Sequence, residues 1–221
     1  MNALPQEQDL KLVHADEHLL VLDKPAGLLC VPGRGEDKQD CLSARAQQRW
    51  PECLVVHRLD MATSGLVMMA RSPAVQRSLG LAFERRRVHK RYEAVVCGQP
   101  EPGVLQDGWA EIDLPLIVDW LNRPRSKVDH VLGKPSRTRW QAMGPGPLSG
   151  TTRLLLEPLT GRTHQLRVHL MALGHPIVGD PLYATPAGQA LAPRLLLHAC
   201  ELGFEHPANG QWLQLHSATP F

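Results

Sequence analysis

His57-Arg58-Leu59-Asp60-Met61-Ala62-Thr63-Ser64-Gly65 is the densest polar cluster of the chain, set between the apolar pair Val55-Val56 and the apolar run 65–70. A polar turn between apolar segments holds function more often than it holds core. The run 65–70 has strand length and reads as a buried strand. Asp60 is the one carboxylate of the cluster, with Arg58 two residues away. A cation within ~4–6 Å lowers a carboxylate pKa by about 1–3 units, which would keep Asp60 ionised as a nucleophile or base. An Asx-turn, in which Asp60 bonds backbone N–H groups, accounts for the same residue without chemistry, and composition alone favours it.

Outward from this cluster, residues 10–15 and 18–22 are short apolar runs with β-branched members and predict strands. Turn chemistry at Lys24-Pro25-Ala26-Gly27 and Val31-Pro32-Gly33 leads into a polar loop over 32–38. The stretch 39–50 predicts a helix stopped by Pro51. Ser72 N-caps a helix that Pro73 opens, with Val75, Leu79, Ala82 and Phe83 as its apolar stripe. Strands are predicted at 92–96, 136–143, 153–156, 195–204 and 211–215, with a turn cluster at 144–150. A helix over 164–173 ends at Gly174. The Pro- and Gly-rich stretch 99–135 reads as strands joined by long loops. Without a regular βαβ alternation, the fold class is α+β: a mixed, mostly antiparallel sheet with flanking helices. Residues 1–9 read as a loose tail and 10–221 as a single domain.

The chain has 221 residues, 43% hydrophobic and 21% charged, which excludes collagen, coiled coil and wholesale disorder. A chain of this length buries a core without help from disulfides or metals. No apolar run approaches the ~18 residues of a membrane span. The first eight residues contain no apolar signal core, so a cytoplasmic protein is expected. Cys30, Cys41, Cys53, Cys97 and Cys200 are odd in number and form no C-x-x-C pair, so no disulfide framework or zinc knuckle is indicated. The net charge of +2 hides an asymmetry. Arg85, Arg86, Arg87, Lys90 and Arg91 form one basic stretch. Arg123, Arg125, Lys127, Lys134, Arg137 and Arg139, against Asp129 alone, form another. The two carry +10 and the rest of the chain −8. Such a distribution suits a polyanion, or two solvated basic faces.

A second cluster runs Thr160-Gly161-Arg162-Thr163-His164-Gln165-Leu166-Arg167-Val168-His169. Arg162 and Arg167 bracket a helix start, where fork donors and free N–H groups bind anions. A capped helix with solvent-facing arginines fits equally well. His164 and His169 are five apart, which is not the spacing of a helical zinc pair. Tyr92, after Lys90 and Arg91, is a candidate base, donor or stacking platform, or a core residue with its hydroxyl at the rim. No dinucleotide, Walker or G-x-S-x-G motif is present.

Together these clusters resemble the RluA-type family of RNA pseudouridine synthases. Residues 57–65 are similar to the family's H-R-L-D-x-x-T-S-G signature without a mismatch. Asp23-Lys24-Pro25-Ala26-Gly27-Leu28 resembles its upstream K-P-x-G-L element, and Lys90-Arg91-Tyr92-Glu93-Ala94-Val95-Val96-Cys97-Gly98 its K-x-Y-x-A-x-V-x-G strand. Residues 161–169, Gly179-Asp180-Pro181-Leu182-Tyr183 and Leu196-Leu197-His198-Ala199 resemble its later elements. Ala184 departs from the glycine usual after the tyrosine. Residues 114–124 and 192–194 are further similar to the type member, and no S4-like module precedes the domain. The resemblance implies a pseudouridine synthase fold with an active-site cleft across the sheet. It also implies isomerisation of uridine to pseudouridine in RNA without cofactor or metal, and no obligate protein partner. Similarity to the type member implies two targets, a 23S rRNA hairpin loop and the tRNA anticodon loop. Asp60 would be the catalytic carboxylate, Tyr92 would stack on the base and assist proton removal, and Arg167 would pair with Asp60. Arg58 would fill the stack vacated by the flipped base. RNA contacts would come from His57, Arg58, Arg162, Arg85, Arg86, Arg87, Lys90, Arg123, Arg125 and Lys127. Leu196 and the Leu195–Leu197 run are candidates for the pocket wall, with a plain core strand fitting equally well. An inactive RNA-binding or chaperone protein of this fold, and an N-glycosidic hydrolase, remain as alternatives; pseudouridine formation and free uracil release separate them.

Overall fold

The apolar run that follows Asp60 is the centre of the architecture. In the computed structural model, which describes residues 10–102 and 107–221, it is strand β4 (Ser64–Ala70), every residue of which is buried. Its two faces feed different cores, as the two-residue period of a strand requires. Val67 and Met69 pack with Leu20 and Leu22 of β2 (Leu19–Lys24) under Leu42 and Ala46 of α1 (Leu42–Arg49). Leu66 and Met68 pack with Leu19 and Val21 under Leu79 of α2 (Pro73–Glu84). The Ser72 hydroxyl caps α2 by accepting from the Val75 N–H at 3.3 Å, and Pro73 opens it, as predicted.

The remaining strands are β1 (Lys11–Ala15), β3 (Leu54–Val55), β5 (His89–Cys97), β6 (Ala110–Asp113), β7 (Leu116–Val118), β8 (Ser126–Val128), β9 (Arg137–Pro145), β10 (Thr151–Pro158), β11 (Leu197–Glu205) and β12 (Trp212–His216). Ten form one sheet in the order β1-β2-β4-β11-β5-β10-β9-β6, with β3 added to β4 and β12 to β11. Only β4–β11 is parallel, so the sheet is mixed and mostly antiparallel, with few helices, as the α+β reading expects. The stretch 99–135 does contain strands, but β7 and β8 form their own antiparallel ribbon outside the large sheet. Helix α3 (Gln165–Ala172) lays Leu166 and Leu170 on Ala94, Val96, Leu154, Leu156 and Leu197. Gly174 follows it at φ +90°, in the left-handed conformation of a C′ glycine. Strand β9 runs through Pro145, into the span predicted as a turn. A 3-10 turn at Glu36–Lys38 and the short helix α4 (Pro186–Ala190) were not predicted. The segment read as a loose tail, 1–9, lies outside the described residues. Among those described, no helix is long and apolar enough to cross a membrane.

Candidate active site

Asp60 sits on the loop between β3 and β4, and the loop is fastened from behind. The Thr63 N–H donates to the Asp60 carbonyl at 3.1 Å, closing a tight turn. The next carbonyl, of Met61, accepts from the Gly27 N–H at 2.8 Å and from Lys24 Nζ at 3.1 Å. Lys24 is fully buried and donates also to the carbonyls of Pro25 and Leu28, at 2.9 and 2.8 Å. Burial pushes this ammonium down to about 8, with the nearby Cys30 and Asp60 opposing, and the three carbonyls use its three N–H groups. The Lys-Pro-Ala-Gly segment is thus the clamp of the Asp60 loop. Gly65, at φ +111°, lies so close to the Ala199 backbone that a β-carbon would collide with it. This close approach admits the parallel pairing of Ser64 and Gly65 with His198 and Ala199.

In front of the loop, one guanidinium joins two carboxylates. Arg167 is 3% exposed and Asp180 is fully buried. Arg167 Nε and Nη2 each donate to Asp180 at 2.7 Å, a bidentate pair. Asp180 accepts further from the Leu182 and Tyr183 N–H groups at 2.8 and 3.1 Å. With the fork held this way, Arg167 Nη1 faces Asp60 Oδ2 at 3.4 Å. Asp60 was expected as its partner; the tighter partner is Asp180, to which the sequence reading assigned no role. On the other side of Asp60, His164 Nε2 lies 3.8 Å from the same oxygen, and its Nδ1 lies 2.7 Å from the Tyr183 hydroxyl. His164, previously weighed only as a metal ligand, and Tyr183 are therefore additional members of the site.

Asp60 opens on a cavity of about 290 Å³, lined by Tyr92, Leu166 and Leu197 with Arg58, His164 and Arg167. Burial, and then the neighbouring Asp60 charge, push the Tyr92 phenol well above its ordinary range, so it is neutral at physiological pH. The apolar wall needs a correction. Leu196 packs with Val95 and Val178 on the opposite face, while Leu197 faces the cavity. Alternation along the chain gives successive leucines to opposite faces. Arg58 is exposed at the cavity mouth. His57 turns inward: its Nε2 accepts from the Met68 N–H at 2.9 Å and its ring stacks on Phe83 at 4.6 Å. Burial, helped by the nearby Lys90 cation, pushes this imidazole down to about 3. A neutral ring with Nε2 and one face engaged is a structural peg, and the half-buried residue also lines the cavity.

A second cavity of about 760 Å³ adjoins the first and shares Phe83, Lys90 and Arg162 with it; Arg86, Arg137 and Arg139 also line it. The two basic stretches meet there. Part of their charge is already used. Arg137 is bidentate to Glu111 at 2.8 Å, Arg139 lies 3.3 Å from Glu157, Arg91 lies 3.8 and 3.6 Å from Glu157 and Glu201, and Arg87 lies 3.8 Å from Glu205. Arg85 and Arg86, exposed after α2, have no carboxylate partner among the described residues, and neither has Lys90. Arg123, Arg125 and Lys127 sit instead on the β7–β8 ribbon, away from the Asp60 cavity lining. Arg123 stacks over Trp120 at 4.5 Å, and Arg125 over Tyr183 at 5.5 Å while donating to the Leu182 carbonyl. Arg162 Nε donates to the Pro135 carbonyl at 3.3 Å. Ala184, where a glycine is usual, adopts no positive φ and fits without strain.

Residues 18–172 match the model of the RNA pseudouridylate synthase family, more than half of the chain. The chain belongs to that family and is an RNA pseudouridine synthase, an enzyme that modifies RNA. It is similar to the dual-specificity RNA pseudouridine synthase RluA of Escherichia coli (strain K12), at 46% identity over 98% of this chain and 96% of that protein. It is 44% identical to the protein of the same description from Pasteurella multocida, with the same coverage. Among solved structures, the human RNA pseudouridylate synthase domain containing 1 superposes with a TM-score of 0.79 at 30% identity, covering 100% of this chain and 87% of that one.

Proposed function

We propose that the enzyme converts uridine in two RNA hairpin loops, one of 23S rRNA and one of the tRNA anticodon arm, with Asp60 as its catalytic carboxylate. The observation that carries the site assignment is the position of Asp60: a carboxylate at the cavity wall, with one oxygen faced by Arg167 and its loop clamped by Lys24. The dual specificity in the name of the relatives supports two RNA substrates, and the choice of these two loops rests on the resemblance to the type member. The isomerisation breaks the bond from the ribose carbon to a ring nitrogen and forms one to a ring carbon. That carbon loses a proton and the nitrogen gains one, so no atom is lost. Asp60 supplies the carboxylate that lets the base detach and return. Tyr92, neutral and at the cavity wall, stacks on the detached base and assists proton removal as a hydrogen-bond partner rather than as the acceptor, the Asp60 carboxylate being the base that takes the proton. Leu166 and Leu197 give the base an apolar wall that excludes water.

A base inside a stack reaches this cavity only by flipping, at a cost of a few kcal/mol. Arg58, exposed at the mouth, offers its guanidinium plane to the gap and offsets the lost stacking. Arg85, Arg86, Lys90 and Arg162 hold phosphates beside it, and Arg123, Arg125 and Lys127 hold them from the ribbon. In the test, Asp60→Asn abolishes pseudouridine formation, read by carbodiimide primer extension, and changes RNA affinity by only a few fold in filter binding. Turnover at a tenth of the wild-type rate would remove Asp60 from the reaction, and free uracil among the products would make the enzyme a hydrolase.

A further inference from the structure

We propose that His164 is a positioning residue for Asp60. It carries its proton on Nε2 and shares the carboxylate oxygen Oδ2 with Arg167, leaving Oδ1 for the reacting nucleotide. The inference rests on the reading of Asp60 as the catalytic carboxylate.

Hydrogen-bond accounting fixes the proton. The Ser126 N–H donates to the Tyr183 hydroxyl oxygen at 2.7 Å, so that oxygen is an acceptor once already. The hydroxyl's own hydrogen needs an acceptor, and His164 Nδ1 lies 2.7 Å away. With the proton on Nδ1 instead, two donors would point at one oxygen, and the hydrogen of a nearly buried hydroxyl would be left without a partner, which is costly. Nδ1 is therefore the acceptor. Burial, with the Arg167 cation adding to it and Asp60 opposing, holds the imidazole below its ordinary range. A neutral ring has one N–H, and here it is on Nε2, the nitrogen 3.8 Å from Asp60 Oδ2. The opposite tautomer would set a lone pair against the carboxylate. A separation of 3.8 Å is long for a hydrogen bond, and such contacts tighten when substrate fills a site.

The backbone supplies an independent sign. His164 is the N-cap of α3, yet it makes no side-chain cap and stands at φ +56°, in the left-handed region. A residue with a β-carbon enters that region only against steric strain, and such strain gathers at functional sites. Here the conformation accompanies a ring placed between Tyr183 and Asp60. Ser126 brings a second consequence, because it lies between Arg125 and Lys127 on the β7–β8 ribbon. The ribbon is thereby linked to Asp60 through Tyr183 and His164.

Two amides divide the roles of the imidazole. The amide of Asn reaches about as far as Nδ1, and that of Gln about as far as Nε2. His164→Asn keeps the bond to Tyr183 and loses the donor to Asp60; His164→Gln does the reverse. In single-turnover assays on an anticodon-arm hairpin, His164→Asn lowers the rate about tenfold or more, the scale of one lost donor to a charged group. RNA affinity stays within about twofold, and His164→Gln recovers most of the rate. Nitrogen-15 NMR of the wild-type histidines shows the Nε2-protonated tautomer at His164, and Tyr183→Phe mixes the two tautomers. A wild-type spectrum with the proton on Nδ1 overturns the proposal, as does His164→Asn turning over within about threefold of wild type. Asp60→Asn is the control. If it is inert while His164→Asn is fully active, this inference alone falls; if Asp60→Asn itself turns over, the assignment of Asp60 falls first.

Discussion

Arg167 balances two carboxylates, and its burial makes the balance strict. Breaking a buried pair from one side costs about 3–5 kcal/mol, because the other charge is left uncompensated. Asp180 therefore holds the guanidinium in place while the third nitrogen faces Asp60. His57 shows the opposite use of a titratable group, as a neutral peg. Its imidazole is held at about 3 in the folded protein, against an ordinary value of 6.5. Between those values the unfolded chain takes up a proton that the folded chain refuses. The contribution of the neutral ring is thus complete above pH 6.5 and is lost as the pH falls toward 3. One such group gives a slope of up to about 1.4 kcal/mol per pH unit. We expect urea-unfolding free energies measured between pH 7 and 4.5 to fall less steeply for His57→Gln, whose amide oxygen can still accept from Met68. Equal slopes in the two proteins would mean that His57 is protonated in the folded state. At this scale Asp60, Tyr92 and Arg167 were legible through the family resemblance that their motifs carry, since composition alone left a structural reading open for each. The clamp of Lys24 and the fork of Asp180 did not, since a buried charge is defined by acceptors and donors brought to it by the fold.

Strand β11 and the residue before it show how one element serves two sites. Leu196 and Leu197 are chemically equal and adjacent, yet one packs behind the sheet and the other walls the Asp60 cavity. Truncating a buried leucine costs about 2–5 kcal/mol wherever it lies. Leu196→Ala should therefore lower the melting temperature and leave kcat/KM at 25 °C nearly unchanged. Leu197→Ala should lower both, because it opens the Asp60 cavity, proposed above to hold the base. A greater loss of kcat/KM from Leu196→Ala would reverse the assignment. The run of three leucines announced a buried strand in the sequence, but an unbroken apolar run carries no alternation, so its facing could not be read. Where local signals exist the elements were legible: Ser72 and Pro73 start α2, and Gly174 ends α3. The parallel pairing of β4 with β11 was not, because Ser64 and His198 are 134 residues apart and turn chemistry does not specify such a partner. The β7–β8 ribbon was hidden for a related reason: its strands are three residues each, within a stretch rich in Pro and Gly.

For the molecule as a whole, size and free charge together limit how much RNA is read. A domain of this length has a radius of gyration of ~17 Å, so it is roughly 45 Å across. At ~3.4 Å per base pair, taken from duplex DNA, that spans at most about 13 pairs. The bases without a carboxylate partner among the described residues include Arg85, Arg86, Lys90 and Arg162 near the Asp60 cavity, and Arg123, Arg125, Lys127 and Lys134 on and after the ribbon. If each of these neutralises one phosphate, log affinity falls with log salt at a slope no steeper than about −7. The ribbon is tied through Tyr183 to the residues around Asp60, and both groups of bases are therefore expected to engage the same RNA segment. Sequence-specific recognition of RNA usually reads unstacked loop bases, which a hairpin presents in full. An isolated anticodon arm should then be converted with kcat/KM within about tenfold of intact tRNA, equivalent to ~1.4 kcal/mol of lost transition-state contacts. Tritium release from labelled uridine measures both substrates. A deficit beyond about a thousandfold, or ~4 kcal/mol, would place essential contacts outside the hairpin, where neither the cavity nor the ribbon could make them.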